Sequence, residues 1–179
     1  MIYGGKPMKI MNDDNRYESD RRSCRRNERC CSQQPGKAIL KCGSGGVGPL
    51  PVISTPLSNP IPVASVSIDT CAMECPKVLL HFNCQINLPA DAGVNLNFMI
   101  SRTTNCGCPQ YIGGTFTFSD LVSVLEAESF SFQHCDCNTC QDCVTYTVEL
   151  DPSSLIAVTA GVTITNATLT ALAVEDLCC

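Results

Sequence analysis

The feature that most constrains the fold is a strict alternation over residues 77–88. Val78, Leu80, Phe82, Cys84, Ile86 and Leu88 interleave with Lys77, Leu79, His81, Asn83, Gln85 and Asn87. A period of two puts each set on its own face of an extended strand, one buried and one wetter. Residues 94–101 repeat the pattern, with Val94, Leu96, Phe98 and Ile100 against Asn95, Asn97, Met99 and Ser101. The five residues Pro89-Ala90-Asp91-Ala92-Gly93 between them suit a hairpin link. Val144, Tyr146, Val148 and Leu150 alternate again within 143–150, and shorter strands are expected at 61–68, 115–118, 129–134, 162–165 and 167–174. Leu121 to Ala127 fits a short helix or a strand. About eight strands, separated by Gly, Pro, Asn and Asp and with no convincing long helix, imply an all-β chain. The expected architecture is a single β-sandwich domain of the jelly-roll kind, with unpaired edges open to strand addition.

A chain of 179 residues builds one sizeable core, or one domain with a tail. No apolar run approaches the ~18 residues that span a bilayer, so no membrane partner is expected. Lys6 and Lys9 are followed by Asp13 and Asp14 with no apolar stretch between them. A secretory signal is therefore not expected, and synthesis in a cytoplasm without export is.

The net charge of −5 hides a split. Residues 1–41 carry ten Lys/Arg against five Asp/Glu, whereas residues 42–179 carry Lys77 and Arg102 against twelve acids. Two regions follow: a basic, apolar-poor N-terminal arm over 1–41 and a cysteine-rich β-domain over 42–179. Gly43, Gly45, Gly46 and Gly48, followed by Pro49 and Pro51, read as a flexible hinge or turn. The basic arm suits nucleic acid, the acidic body of another copy, or plain solvent. Arg21, Arg22, Arg25 and Arg26 have no aromatic platform beside them, which makes nucleic acid the weakest of these readings.

Fifteen cysteines exceed the level that signals a disulfide scaffold or metal binding, and an odd number forbids complete pairing within a monomer. In the β-domain they form groups: Cys71 and Cys75; Cys106 and Cys108; Cys135, Cys137, Cys140 and Cys143; Cys178 and Cys179. The 135–143 group, with His134 beside it, could bind zinc tetrahedrally or ligate an iron–sulfur cluster. Disulfides with Cys71, Cys75, Cys106 or Cys108 need no cofactor and are the preferred reading, so no cofactor is expected. His81 and His134 read as ordinary strand residues. Many Cys and His pairs can be drawn, but none carries a nucleophile signature, and no G-x-S-x-G, H-E-x-x-H or phosphate loop occurs. Neither enzymatic activity nor a small-molecule substrate is expected. Asn166-Ala167-Thr168 matches a glycosylation sequon but reads as a turn and strand start.

Cys30 and Cys31 are adjacent on the arm, with Cys42 following where apolar alternation begins. Neighbouring Cα atoms lie ~3.8 Å apart, below the ~4.4–6.8 Å of an ordinary disulfide, so the pair is better suited to gripping two separate partners. Neighbouring copies of the same chain are the expected partners, giving a homo-oligomer.

Lys41-Cys42-Gly43-Ser44-Gly45, Val63 to Thr70, Cys135-Asp136-Cys137-Asn138-Thr139-Cys140 through Val148, and Ile164 to Leu169 resemble small cysteine-rich proteins of spore-forming clostridia. The resemblance covers about residues 38–174 and is most specific in the 135–148 block. The arm, Cys30-Cys31 then Cys42, is similar to the N-terminal connector of the endospore appendage subunits of bacilli, jelly-roll proteins that polymerise into disulfide-linked fibres. That likeness implies that Cys30 and Cys31 are connector thiols, Cys42 a body acceptor, Cys178 or Cys179 a second acceptor, and that Cys24 could share the role. Asn27-Glu28-Arg29 stands where the connector has an apolar residue, and the arm here is longer. The implied function is a structural subunit that assembles head-to-tail into a disulfide-cross-linked extracellular fibre or spore-surface layer, after synthesis in the mother cell. The alternative is a thiol-rich zinc-binding protein using Cys135–Cys143.

Overall fold

A computed structural model describes residues 36–50, 59–105, 107–137, 139, 142–157 and 160–175. Among these residues eight strands run in order: β1 (Ala38–Val47), β2 (Ile61–Asp69), β3 (Pro76–Leu88), β4 (Gly93–Thr104), β5 (Gln110–Leu121), β6 (Glu126–Asp136), β7 (Cys143–Leu150) and β8 (Thr163–Glu175). A short 3-10 turn spans Pro152–Ala157 between β7 and β8. Among the described residues no helix is long and apolar enough to cross a membrane.

The strands are all antiparallel, in the order β5-β4-β7-β2-β1-β8-β3-β6. β1 pairs with β8, β2 with β7, β3 with β6 and β4 with β5, the pattern left when one long hairpin is rolled up. β1 meets β2 through one register pair, Gly45 with Ala64. The ribbon turns there into two four-stranded halves, β1-β8-β3-β6 and β2-β7-β4-β5. The fold is thus an all-β, jelly-roll-like sandwich.

The inner faces follow the alternation. Val78, Leu80, Phe82, Cys84, Ile86 and Leu88 on β3 are buried, as are Val94, Leu96, Phe98 and Ile100 on β4 and Val144, Tyr146, Val148 and Leu150 on β7. Phe82 and Phe98 meet across the sandwich with ring centroids 5.7 Å apart. The edge strands β5 and β6 do not pair with each other; phenylalanines close the gap between them. Phe116 stacks on Phe132 at 3.9 Å, and Phe118 sets its edge on Phe130 at 5.7 Å. Such aromatic pairs add about 0.5–1.5 kcal/mol each beyond the area they bury.

Three expectations are corrected. The glycines at 43–48 are not a hinge: Gly43, Gly45 and Gly46 lie within β1. A Cβ on Gly43 would sit 2.7 Å from the Ser65 carbonyl carbon, with the oxygen closer still, and one on Gly45 would sit 2.9 Å from that of Val63. Glycine is what lets β1 cross so near the backbone of β2. The two strands expected at 162–165 and 167–174 are one strand, β8. Asn166 is an interior bulge with φ +52°, not a turn, and the register against β3 slips there between Asn83 and Gln85. Finally, 121–127, which fitted a short helix or a strand, is two strand ends and their link: Leu121 ends β5, Glu126 begins β6, and four residues join them.

Candidate functional site

Pairing each strand with its antiparallel partner sends alternate connections to opposite ends of the sandwich. The β2–β3, β4–β5 and β6–β7 connections share one pole with the start of β1 and the end of β8. Register places Pro76 beside Glu175, Val78 beside Asp136, Asp69 beside Cys143, and Thr104 beside Val144. Cys71, Cys75, Cys108, Cys135, Cys137 and Cys143 all belong to this pole. The connections at the other pole contain no cysteine in the sequence. One end of the domain therefore concentrates the sulfur.

Seven of the described cysteines are free thiols: Cys42, Cys71, Cys84, Cys108, Cys135, Cys137 and Cys143. Cys42, Cys71, Cys108, Cys135 and Cys137 are exposed, Cys143 is half-buried and Cys84 is buried. Cys75 is disulfide-bonded. Cys24, Cys30, Cys31, Cys106, Cys140, Cys178 and Cys179 lie outside the described residues. Cys135 and Cys137 bring their sulfurs to 3.7 Å. Cys42 sits on the outer face of β1, its sulfur 3.6 Å from the Thr170 hydroxyl. Among the described residues no three His, Cys, Asp or Glu side chains converge as a metal site.

Environment sorts these thiols. Cys84 points into the core, and burial pushes its thiol up to about 12. Cys71 is raised by its hydrogen bond to the Asp69 carboxylate, which also accepts from the Cys71 backbone N–H at 2.9 Å. Cys135 is raised first by burial and then by its hydrogen bond with Cys137. Raised thiols carry less nucleophilic thiolate at neutral pH.

A polar network braces the pole from inside. Arg102, near the end of β4, donates through one guanidinium nitrogen to both oxygens of Asp136, at 3.1 and 2.9 Å. Its other terminal nitrogen donates to Gln110 Oε1 at 2.9 Å. The Tyr146 hydroxyl donates to Asp136 at 3.0 Å, and Thr139 donates to the Asp136 carbonyl at 3.3 Å. Asp136 is 5% exposed and Tyr146 fully buried. Beside them Thr70 donates its backbone N–H and hydroxyl to the Asp142 carbonyl, both at 2.9 Å, tying the β2–β3 connection to the β6–β7 connection. Sequence reasoning missed this network. Its one signal was Arg102, one of only two cations after residue 41.

The outer face of β1, β8 and β3 carries an apolar row. Leu40 pairs with Leu172, and Leu172 with Leu79, which pairs in turn with Cys135 on β6. Leu40 is 60% exposed, Leu79 39% and the neighbouring Val174 41%. The row runs from the strand of Cys42 to Cys135.

The sequence pattern described as "Domain of unknown function (DUF4489)" matches residues 36–174. No curated protein matches the chain. Among solved structures, the CBM22-1 xylan-binding domain from Paenibacillus barcinonensis Xyn10C is 13% identical, covering 81% of this chain and 99% of its own, with a TM-score of 0.35. Eiger TNF from S. frugiperda is 12% identical, covering 80% and 95%, at 0.40. CBM35 from Cellvibrio japonicus Abf62 is 11% identical, covering 78% and 99%, at 0.29. At these scores the likenesses bear on neither ligand nor partner.

Proposed function

We propose that this chain, which belongs to the DUF4489 family, is a non-enzymatic structural subunit that joins copies of itself through disulfides into a fibre or surface layer. The observation that carries the reading is the set of five exposed free thiols among the described residues, Cys42, Cys71, Cys108, Cys135 and Cys137. A soluble monomer gains nothing from exposed thiols, which invite covalent association. The exposed Leu40, Leu79 and Val174 add an apolar surface on which a second molecule can gain burial.

In this reading Cys30 and Cys31 of the basic arm bond to neighbouring copies, with Cys24 as a reserve. Cys42 on the first strand is the body acceptor, and Cys178 or Cys179 the second. A head-to-tail contact of this kind extends without limit unless its rotation closes a ring. Residues 1–41 carry net +5 and residues 42–179 net −10, so approach of one copy to the next is favoured at low salt. The resemblance of the arm to endospore appendage connectors supports, as part of the same proposal, assembly outside the cell at the spore surface after synthesis in the mother cell.

Negative-stain microscopy of the oxidised recombinant protein tests the reading. Filaments or sheets that shorten or vanish in a Cys30→Ser, Cys31→Ser double variant are expected. Equally long assemblies from that variant would remove the arm from the mechanism. Dispersed monomers carrying about one zinc per chain would replace the reading with metal binding.

A further inference from the structure

We propose that Cys135 and Cys137 form a redox pair, closing to a disulfide across Asp136, the last residue of β6, and passing that oxidation to external thiols by exchange. Three observations on this chain converge. The two sulfurs are 3.7 Å apart, both residues are exposed, and both thiols are free. They flank Asp136, whose carboxylate is buried and held by two bonds from Arg102 and one from Tyr146. In an extended chain, a central side chain fixed inward turns both neighbours outward on the same face. The network therefore presents the two thiols side by side.

The same geometry makes the bond labile. Alternate residues of a strand lie about 6.6 Å apart, near the upper limit of the Cα separations disulfides tolerate. Side-chain rotation must close 3.7 Å to a bond of about 2.05 Å while the Asp136 backbone stays held. Exposed, strained disulfides are the ones that exchange readily. Leu79, opposite Cys135 in register, offers apolar ground beside the sulfur where a thiol-bearing segment can rest.

The oxidant is a low-molecular-weight disulfide, RSSR. The Cys137 thiolate attacks one of its sulfurs, forming a mixed disulfide and releasing RS⁻. Cys135 gives its proton to solvent and displaces the second RS⁻ from Cys137. The protein pair loses two electrons and two protons, and RSSR becomes two RSH. Run in reverse against the thiols of another chain, the pair is reduced and the other chain is cross-linked. This reaction occurs within one chain, so its test stands whether or not copies polymerise.

The experiment treats the reduced full-length protein with oxidised glutathione, quenches with acid and an alkylating reagent, and maps the 133–146 peptide by mass spectrometry. The native chain is expected to lose two hydrogens between Cys135 and Cys137 and to retain no glutathione on either. Cys135→Ser is expected to keep glutathione on Cys137, and Cys137→Ser to keep it on Cys135. Both positions are exposed, so neither substitution threatens the core. Glutathione persisting on Cys137 of the native chain, or Cys135 bonding first to any cysteine other than Cys137, would overturn the proposal.

Discussion

Replacing Gly43 by alanine should be among the most damaging single-methyl changes in this domain. In β1 the added Cβ would lie 2.7 Å from the Ser65 carbonyl carbon and 3.3 Å from the Val66 Cα, both rigid backbone atoms. Carbon atoms in favourable contact sit ~3.5–4.0 Å apart, so β1 must retreat from β2 by about 1 Å or more along that line. The crossing strand cannot do this without loosening the β1–β2 junction at Gly45 and Ala64. Overpacking against movable side chains costs about 1–3 kcal/mol. Against backbone the upper end is the expected value, about 3 kcal/mol. Gly114 on β5 is the control, because a Cβ there meets nothing within 4 Å. Gly114→Ala should be neutral, or stabilising by up to about 1 kcal/mol through the lower backbone entropy of alanine. Urea unfolding of the reduced proteins, with slopes compared, measures both. Equal stability for Gly43→Ala and Gly114→Ala would refute the packing argument and restore the glycines as a hinge.

Removing Arg102 should be costlier than removing a hydroxyl from the same network. Arg102→Ala leaves the buried Asp136 carboxylate without its guanidinium and is expected to cost about 3–5 kcal/mol in chemical denaturation, against about 2 kcal/mol for Tyr146→Phe. Cys84 should resist alkylation at pH 8 while Cys42, Cys71, Cys108, Cys135 and Cys137 are modified, as peptide mass spectrometry would show. Its thiol also gives stability a pH slope. The unfolded chain releases this proton near the ordinary value of 9, but the folded chain holds it until about 12. Between those pH values the unfolded state binds fewer protons, so stability falls as pH rises across the window and is unaffected by Cys84 below it. Cys84→Ala should flatten that part of the profile.

How much could be read in advance depended on the contrast between a strand's faces. β3, β4 and β7 alternate apolar with polar residues and have solvent on one side only, so their existence and inward residues were legible. β1 was hidden because its close approach to β2 demanded glycines, which are also what turns demand. β8 looked like two strands because its bulge at Asn166 breaks the period of two for one step. β5 and β6 run longer than their apolar centres, 110–121 and 126–136, since edge strands carry polar residues at either end. The sulfur-rich pole was half legible. Cysteines in every second connection were visible as groups, but placing them at one end needs the strand pairing. The Arg102–Asp136–Tyr146 network brings β4 to the neighbouring strands β6 and β7 from 34 residues away, and no local pattern announces it.

The central claim is covalent self-association, and its most direct measurement is the size of the oxidised, detergent-boiled protein on a gel with and without strong reductant. The account predicts a ladder or a species too large to enter the gel, collapsing to one band when reduced. A single 19.2 kDa species in both lanes would contradict it.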